Sequence, residues 1–312
     1  MMSNEVLLQK ADMALSDLTA GSGTLAPAQA QNFMRLLIKE AVVMGLATVV
    51  PMRAPKQDLE QIRFNSRILR AGHEAQALPE ADRAKPSLDN VELDAQLFKA
   101  EVRLNNEVLE DSIEQGQLKN TIMQLMAERI ALDMDEILVR GDVTSGDPFL
   151  AQFDGLLAQV TTNTYDHLDN PTNRSLFKAM LKTLPSEYIR NKKALRFLTS
   201  VDSLIDYRDA LADRATANVG DRFVEQDAPA MYSGVPVIDV PNFPENIGTS
   251  NHCTDVVLTD PKNINVGIWR NIQVETDKLI REGVVLIVAT LRFDMKLAVE
   301  EAAVKATNVK VA

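Results

Sequence analysis

Between Leu118 and Leu138 the apolar residues fall three or four positions apart: Leu118, Ile122, Leu125, Met126, Ile130, Met134, Ile137 and Leu138. That spacing lines one face of an α-helix. Taken from Ser112 to Val139, the predicted helix is about 42 Å long at ~1.5 Å per residue. Arg140 and Gly141 close it, a cation in the last turn followed by the residue that most readily takes a left-handed C-cap. A GD turn and the segment FDGLL at 153–157 follow directly.

A different period governs 57–104. Ile62, Phe64, Ser66 and Ile68 alternate with Arg63, Asn65 and Arg67, which predicts a strand. Val91, Leu93, Ala95 and Leu97 alternate with Glu92, Asp94 and Gln96, after which Phe98, Ala100, Val102 and Leu104 become the apolar set. A one-residue slip of phase exchanges the two faces, so a bulge or bend is expected at Leu97–Phe98. The polar stretch AGHEAQALPEADRAKPSLDN separates the two strands. Loops of that length in a compact domain usually serve function, and a lone hairpin is marginal in water and needs another surface to lie on. In a free subunit the hairpin and the N-terminal segment are expected to be mobile, because they bury too little apolar surface to offset ordering entropy.

At the start of the chain, Val6, Leu7, Ala11, Ala14, Leu15 and Leu18 suggest a short helix, AGSGT at 20–24 a flexible link, and Phe33, Leu36, Leu37, Ala41, Met44 and Leu46 a helix from Pro27 to Leu46. Proline suits a first helical position. Beyond the long helix, SLFKAMLKTL reads as a helix stopped at Pro185, ALRFLTS as a strand, and VDSLIDYRDALADRA as a helix capped by Ser200. GVPVIDVPNFP reads as a strand punctuated by prolines, and VVLTD, INVGIW, IQVETDK and VVLIVATLRFDMKLAVE as consecutive strands. The pattern as a whole is α+β.

Composition narrows the classes. No apolar run approaches the ~20 residues of a membrane span, the N-terminus lacks the basic start and apolar core of a signal peptide, and a single cysteine, Cys253, excludes an intrachain disulfide. A net charge of −11 argues against tight nucleic-acid binding. Charge is also unevenly spread. Arg53 to Arg70 holds five basic residues against Asp58 and Glu60, and Glu74 to Asp94 holds six acidic residues against Arg83 and Lys85. Such strands can pair internally, or each can meet a complementary patch on a neighbour. The candidate contact residues are Arg63, Arg67, Arg70, Glu80, Asp82, Arg83, Lys85, Asp89 and Glu92, joined by Asp133 and Glu136 from the DMDE at 133–136.

Catalytic chemistry finds little support. His73, His167 and His252 do not have metal-ligand spacing. His252 and Cys253 are adjacent, and neighbours on an extended chain point to opposite faces. There is no P-loop, no G-x-G-x-x-G and no calcium-loop pattern in TYDHLDNPTN. DMDE reads as a solvated helix face, and Trp269 as a core residue. Neither a catalytic, a cofactor-binding nor a metal-binding residue is assigned.

The order of long helix, GD turn and DGLL resembles the spine helix of tailed-bacteriophage major capsid proteins, the Hong Kong 97-like (Johnson) fold. The resemblance extends over roughly residues 30–310, through Gly234-Val235-Pro236-Val237, the glycine-centred Val266-Gly267-Ile268, the acidic Ile272–Glu275 and the R-x-D of Arg292-Phe293-Asp294. It implies an N-terminal arm over 1–50, an extended loop over 51–104, a peripheral domain from 105–160 and 256–312, and an axial domain over 161–255. The terminal AAVKATNVKVA would then be the last strand of the peripheral domain. The implied function is a major capsid protein: pentamers and hexamers in an icosahedral shell around phage double-stranded DNA. The implied partners are a portal and separate scaffolding or decoration proteins, with no membrane, and the implied setting is a virion assembled in the host cytoplasm. No crosslinking chemistry is assigned to Lys85. About 26 residues precede the arm helix, too few for a coiled scaffolding segment, so the N-terminus is expected to stay nearly intact. An encapsulin-like nanocompartment shell of the same fold is the nearest rival reading, and a soluble cytosolic α+β enzyme the rival from another class.

Overall fold

The computed structural model describes residues 12–13, 42–64, 67–71, 79–80, 83, 85–105, 118–212, 229–248 and 252–311. The strands are β1 (Asp12–Met13), β2 (Thr48–Pro51), β3 (Lys56–Arg63), β4 (Ser87–Asp94), β5 (Gln96–Asn105), β6 (Thr164–Pro171), β7 (Arg196–Thr199), β8 (Met231–Tyr232), β9 (Val235–Asp239), β10 (Cys253–Thr259), β11 (Ile264–Leu279), β12 (Val284–Leu297) and β13 (Val304–Lys310). The helices are α1 (Val42–Leu46), α2 (Leu118–Arg140), α3 (Leu156–Gln159), α4 (Arg174–Thr183) and α5 (Val201–Ala212).

The strands form a five-stranded sheet in the order β1-β5-β12-β11-β2, a six-stranded sheet in the order β6-β13-β10-β7-β9-β8, and the isolated pair β3-β4. The five-stranded sheet and α2 share one core. Met126, Ile130, Met134, Ile137 and Leu138 of the helix meet Ile287, Ala289, Leu291, Phe293 and Met295 of β12 there. Phe293 stacks on Phe98 at 4.7 Å and meets Phe153 edge-on at 5.5 Å, so β5 and the segment after α2 are keyed to the same strand.

Every residue of β10 is buried, which is why VVLT reads as a continuous apolar run. Its alternating faces serve two cores. Val257 joins the helix-α2 core, while Val256 and Leu258 join a second core under α4 and α5. Phe177 of α4 lies 4.6 Å from Phe197 and 4.7 Å from Tyr207, tying α4 to β7 and α5. Asn173 caps α4 by accepting from the N–H groups of Ser175 and Leu176, and the Ser200 hydroxyl accepts from Ser203 at the start of α5.

Several expectations change. β3 runs from Lys56 to Arg63, so the apolar alternation at 62–68 lies mostly past the strand, and Phe64 and Ile68 are exposed. The break between the next two strands falls at Ala95, two residues before the change of phase. β4 pairs with β3, whereas β5 leaves the hairpin and pairs with β12. INVGIW and IQVETDK merge into the single strand β11, with irregular register between Ile268 and Gln273. TYDHLDNP forms β6, which runs parallel to β13. The terminal strand β13 lies in the six-stranded sheet, between β6 and β10. Asp12–Met13 pairs as a strand with Arg103–Leu104 where a helix was expected. Most of the expected helix from Pro27 lies outside the described residues, and only its last turns, Val42–Leu46, are seen.

Gly141 has a different role from the one its position suggests. Its φ is not positive. A Cβ there would sit 2.5 Å from the Phe153 carbonyl oxygen and 2.6 Å from that of Ile137, and one on Gly155 would sit 2.7 Å from the Gly141 nitrogen. The two glycines let the end of α2 and FDGLL lie backbone against backbone, joined by the Gly155 N–H donating to the Gly141 oxygen at 2.8 Å.

Candidate assembly interface

Two segments, the start of α1 and the turn between β4 and β5, are each held to the core by a buried carboxylate. Asp135 on α2 is 1% exposed. Its Oδ2 accepts from the backbone N–H of Val42 at 3.0 Å and of Val43 at 3.4 Å, and its Oδ1 accepts from Met44 at 2.9 Å. These N–H groups open α1, whose first turn offers donors without helical partners. Burial pushes the Asp135 carboxyl above the usual range, and the three backbone donors pull it back only in part.

Asp294, the acid of R-x-D on β12, is likewise 1% exposed. It accepts from the N–H of Asp94 at 2.8 Å and of Met295 at 2.8 Å, which fixes the point where β4 turns into β5. Burial raises its pKa as well, against the pull of those donors.

Beside it, Met52 after β2 and Leu93 and Ala95 of the hairpin form a small core, with Leu59 and Trp269 packed against it. Gly267 makes room for it. A Cβ there would meet Met52 Sδ at 2.7 Å and Leu93 Cδ1 at 2.8 Å. The guanidinium of Arg292 lies over the Trp269 ring, 4.5 Å from its centroid, so the half-buried Trp269 belongs to the hairpin root and not to the main core. Sequence reasoning missed Asp135, Asp294 and this junction.

The hairpin itself is lopsided. Its register sets Lys56 opposite Asp94 and Asp58 opposite Glu92. Lys56 pairs with Asp94 at 2.9 Å and Glu92 at 3.4 Å, but Asp58 and Glu92 are like charges face to face, a destabilising arrangement on its own. Towards the far end Ile62, Phe64, Ile68, Leu69 and Leu88 are all more than half exposed.

Among the candidate contact residues, Arg63 ends β3 opposite Ser87, Arg67 and Arg70 follow it in exposed non-strand chain, and Glu80, Arg83 and Lys85 are exposed between the strands. The Arg83 N–H donates to the Glu80 oxygen at 3.3 Å. Asp89 and Glu92 are exposed on β4. Asp82 and His73 lie outside the described residues. Asp133 and Glu136 sit apart from the hairpin and pair within α2, with Arg129 at 2.9 Å and Arg140 at 3.1 Å. DMDE is therefore no uniform solvated face: its middle carboxylate, Asp135, is buried.

His252 is exposed while Cys253 is buried with its thiol donating to Asp169 at 3.2 Å, so the two side chains part as expected. Among the described residues no three His, Cys, Asp or Glu side chains gather as a metal site, and no helix is long and apolar enough to cross a membrane.

The comparisons with known proteins fit this architecture. A model of the phage capsid family matches residues 21–308. A Bacillus subtilis (strain 168) protein named as a prophage capsid protein, YqbE, is 38% identical over 99% of this chain and all of its own length. Among solved structures, the capsid of an empty GTA particle superposes with a TM-score of 0.65 at 17% identity, over 95% of this chain and 100% of that one. Mycobacterium phage Adephagia gives 0.64 at 15% identity, over 96% and 98%. The SrpI encapsulin complex of Synechococcus elongatus PCC 7942 gives 0.63 at 15% identity, over 96% and 98%. With its fold shared by shell proteins and its sequence matched along nearly the whole length, this chain belongs to the phage capsid family and has a Hong Kong 97-like α+β fold.

Proposed function

We infer that the chain is the major capsid protein of a phage or prophage, a shell subunit that works by binding copies of itself. One observation carries the reading beyond family membership. The start of α1 and the hairpin are rooted in the core by Asp135 and Asp294, yet the hairpin's far end carries large apolar side chains, Ile62, Phe64, Ile68, Leu69 and Leu88, that stay exposed. An apolar surface of that kind marks an interaction site.

In this reading α2 and the five-stranded sheet are the rigid platform, the arm (1–50) and the loop (51–104) grip neighbours, and the segment 161–255 closes pentameric and hexameric rings. The protein has no enzymatic activity and needs no cofactor. The shell encloses double-stranded DNA without reading its sequence, meets a portal and separate scaffolding or decoration proteins, and assembles in the host cytoplasm. The 38% identity to a prophage capsid protein favours a phage shell over a nanocompartment.

The test is microscopy and content analysis of particles from cells carrying the full element. Hollow or filled shells of this chain with nuclease-protected double-stranded DNA are expected. Shells loaded with an enzyme cargo would turn the reading to an encapsulin, and the absence of any particle would end it. Reversing Arg63, Arg67 and Arg70 to Glu should impair shell yield more than subunit folding. Normal yield from that variant would remove the hairpin cations from the interface.

A further inference from the structure

His167 is 3% exposed although it sits in β6, an edge strand of the six-stranded sheet. Its Nε2 lies 3.2 Å from the Pro171 carbonyl oxygen. A carbonyl only accepts, so Nε2 carries the hydrogen. Nδ1 is buried and meets no hydrogen-bond partner among the described residues. A second proton there would create a buried charge whose N–H points at no acceptor. The pocket fits the neutral ring.

The backbone beside it is strained. Leu168 and Asp169 both take left-handed conformations, with φ 55° each. For a bulky residue such as leucine that is an outlier, and the Leu168 side chain is thrown out to solvent. On β13, Asn308 is left-handed too, φ 54°, where the β6–β13 register slips between Thr307 and Val309. Several bonds hold the turn. Asp166 Oδ1 accepts from the Leu168 N–H at 2.9 Å and from the Asn308 side chain at 3.0 Å. The Asn170 amide donates to the His167 oxygen at 2.7 Å, and the His167 ring spans the turn to Pro171. Strain of this kind persists only where its surroundings over-determine it.

The charged groups on the neighbouring elements do not relieve the ring. On β6 itself, Asp166 favours the charged form, but burial outweighs it and holds the His167 pKa below the usual histidine value. Asp169 is engaged by the Cys253 thiol of β10 at 3.2 Å. From β13, Lys310 stands in register with Pro171, and Arg174 opens α4, which packs on β6. Both are cations and oppose a second positive charge. α5 reaches the end of β6 through an uncharged pair, Thr172 and Ser203.

We propose that His167 is an acid-sensitive latch on this edge of the sheet. When the ring takes its second proton it leaves the pocket for water, the bond to Pro171 opens, and the strained turn relaxes and frees β6 from β13. Because the folded value is depressed, the latch is fully closed above the ordinary histidine value of 6.5 and weakens as pH falls below it. The response is selective. Asp135, Asp294 and Asp255 have raised pKa values, so mild acid favours them, and the roots of α1 and the hairpin stay in place while one sheet edge loosens.

Hydrogen exchange on the full-length, unassembled subunit tests this, corrected for intrinsic rates and followed from about pH 7.5 to about pH 5. Protection at 164–171 should fall by up to about tenfold per pH unit below about 6.5, while β10 and β12 keep theirs. His167→Phe fills the pocket and cannot charge. Its protection at 164–171 should stay level over the same range, even if lower throughout for want of the Pro171 bond. NMR of the wild-type histidine rings, assigned by replacing His73 and His252 with Gln, needs no change at His167. That ring should charge below the usual histidine value, at the pH where 164–171 opens. Unchanged wild-type protection, an acid loss that persists in His167→Phe, a loss shared equally by β10 and β12, or a His167 ring that charges at about 6.5 or above overturns the latch.

Discussion

Replacing Asp135 by Ala should detach the start of α1 from the long helix. The substitution removes one carboxylate and leaves three N–H groups, those of Val42, Val43 and Met44, without their acceptor. Hydrogen bonds to a charged acceptor contribute about 1.5–3 kcal/mol each. The 3.4 Å bond from Val43 adds little, so two good bonds set the scale. Against them stands the cost of burying the charge, visible in the raised pKa of the carboxyl. The net loss is about 2–4 kcal/mol, and Asp135→Asn, which keeps one carbonyl acceptor, should lose roughly half of that. Urea unfolding of the unassembled subunit measures the total, and hydrogen exchange at Val42–Leu46 locates it. A change below about 0.5 kcal/mol in Asp135→Ala, with exchange at Val42–Leu46 unaltered, would refute the anchoring role. The sign of the pH effect is part of the claim. Because the folded pKa is raised, the folded chain binds more protons than the unfolded one above the usual carboxylate range. Stability contributed by this group then falls as pH rises through that window and is flat above it. Mild acid acting on Asp135 alone should not loosen the arm.

Asp294→Ala should cost about 1–3 kcal/mol by stranding the Asp94 and Met295 N–H groups, with faster hydrogen exchange in β3 and β4 than in β11; uniform change across both would deny it a local role at the hairpin root. Gly141→Ala forces a methyl to within 2.5 Å of a backbone oxygen and should cost about 3 kcal/mol or prevent folding; a melting temperature equal to wild type would show that the two backbones can part cheaply. Burial lifts Asp255 to about 6, against the pull of Lys305. Its contribution is therefore most favourable in acid and declines between about pH 4 and 6, so Asp255→Asn should stabilise the subunit by up to about 3 kcal/mol at pH 7 to 8 and not at all below pH 4. A gain that does not depend on pH would point to packing instead.

The long helix, α4, α5 and the buried strands were legible because each carries a period that burial imposes: one stripe on α2, continuous apolar residues in β10. The start of β3 was not legible. Lys56 to Gln61 carries Leu59 as its sole apolar residue, since much of that strand faces water on both sides, and the alternation farther on belongs to residues that stay exposed in the subunit. Hydrophobic periodicity reports apolar residues in register, not the chain that covers them.

The anchoring carboxylates escaped for a related reason. On α2 the main stripe runs through Met126, Ile130, Met134, Ile137 and Leu138, and Asp135 stands well round the helix from it, where an acid is ordinarily solvated. What buries it is α1, more than ninety residues earlier in the chain. A trace of this was present: Ala131 and Val139 flank Asp135 one turn before and one turn after, and Val139 is fully buried. A small residue, an acid and a valine at four-residue spacing form a second, narrower stripe, wide enough for a short helix to lie on, with the acid placed where that helix's N–H groups arrive. Asp294 follows the same logic in a strand. It lies between Phe293 and Met295 in a strand buried along most of its length, and a carboxylate among such neighbours persists only where donors meet it. In both cases the charged residue that breaks an apolar pattern marks where a distant segment attaches.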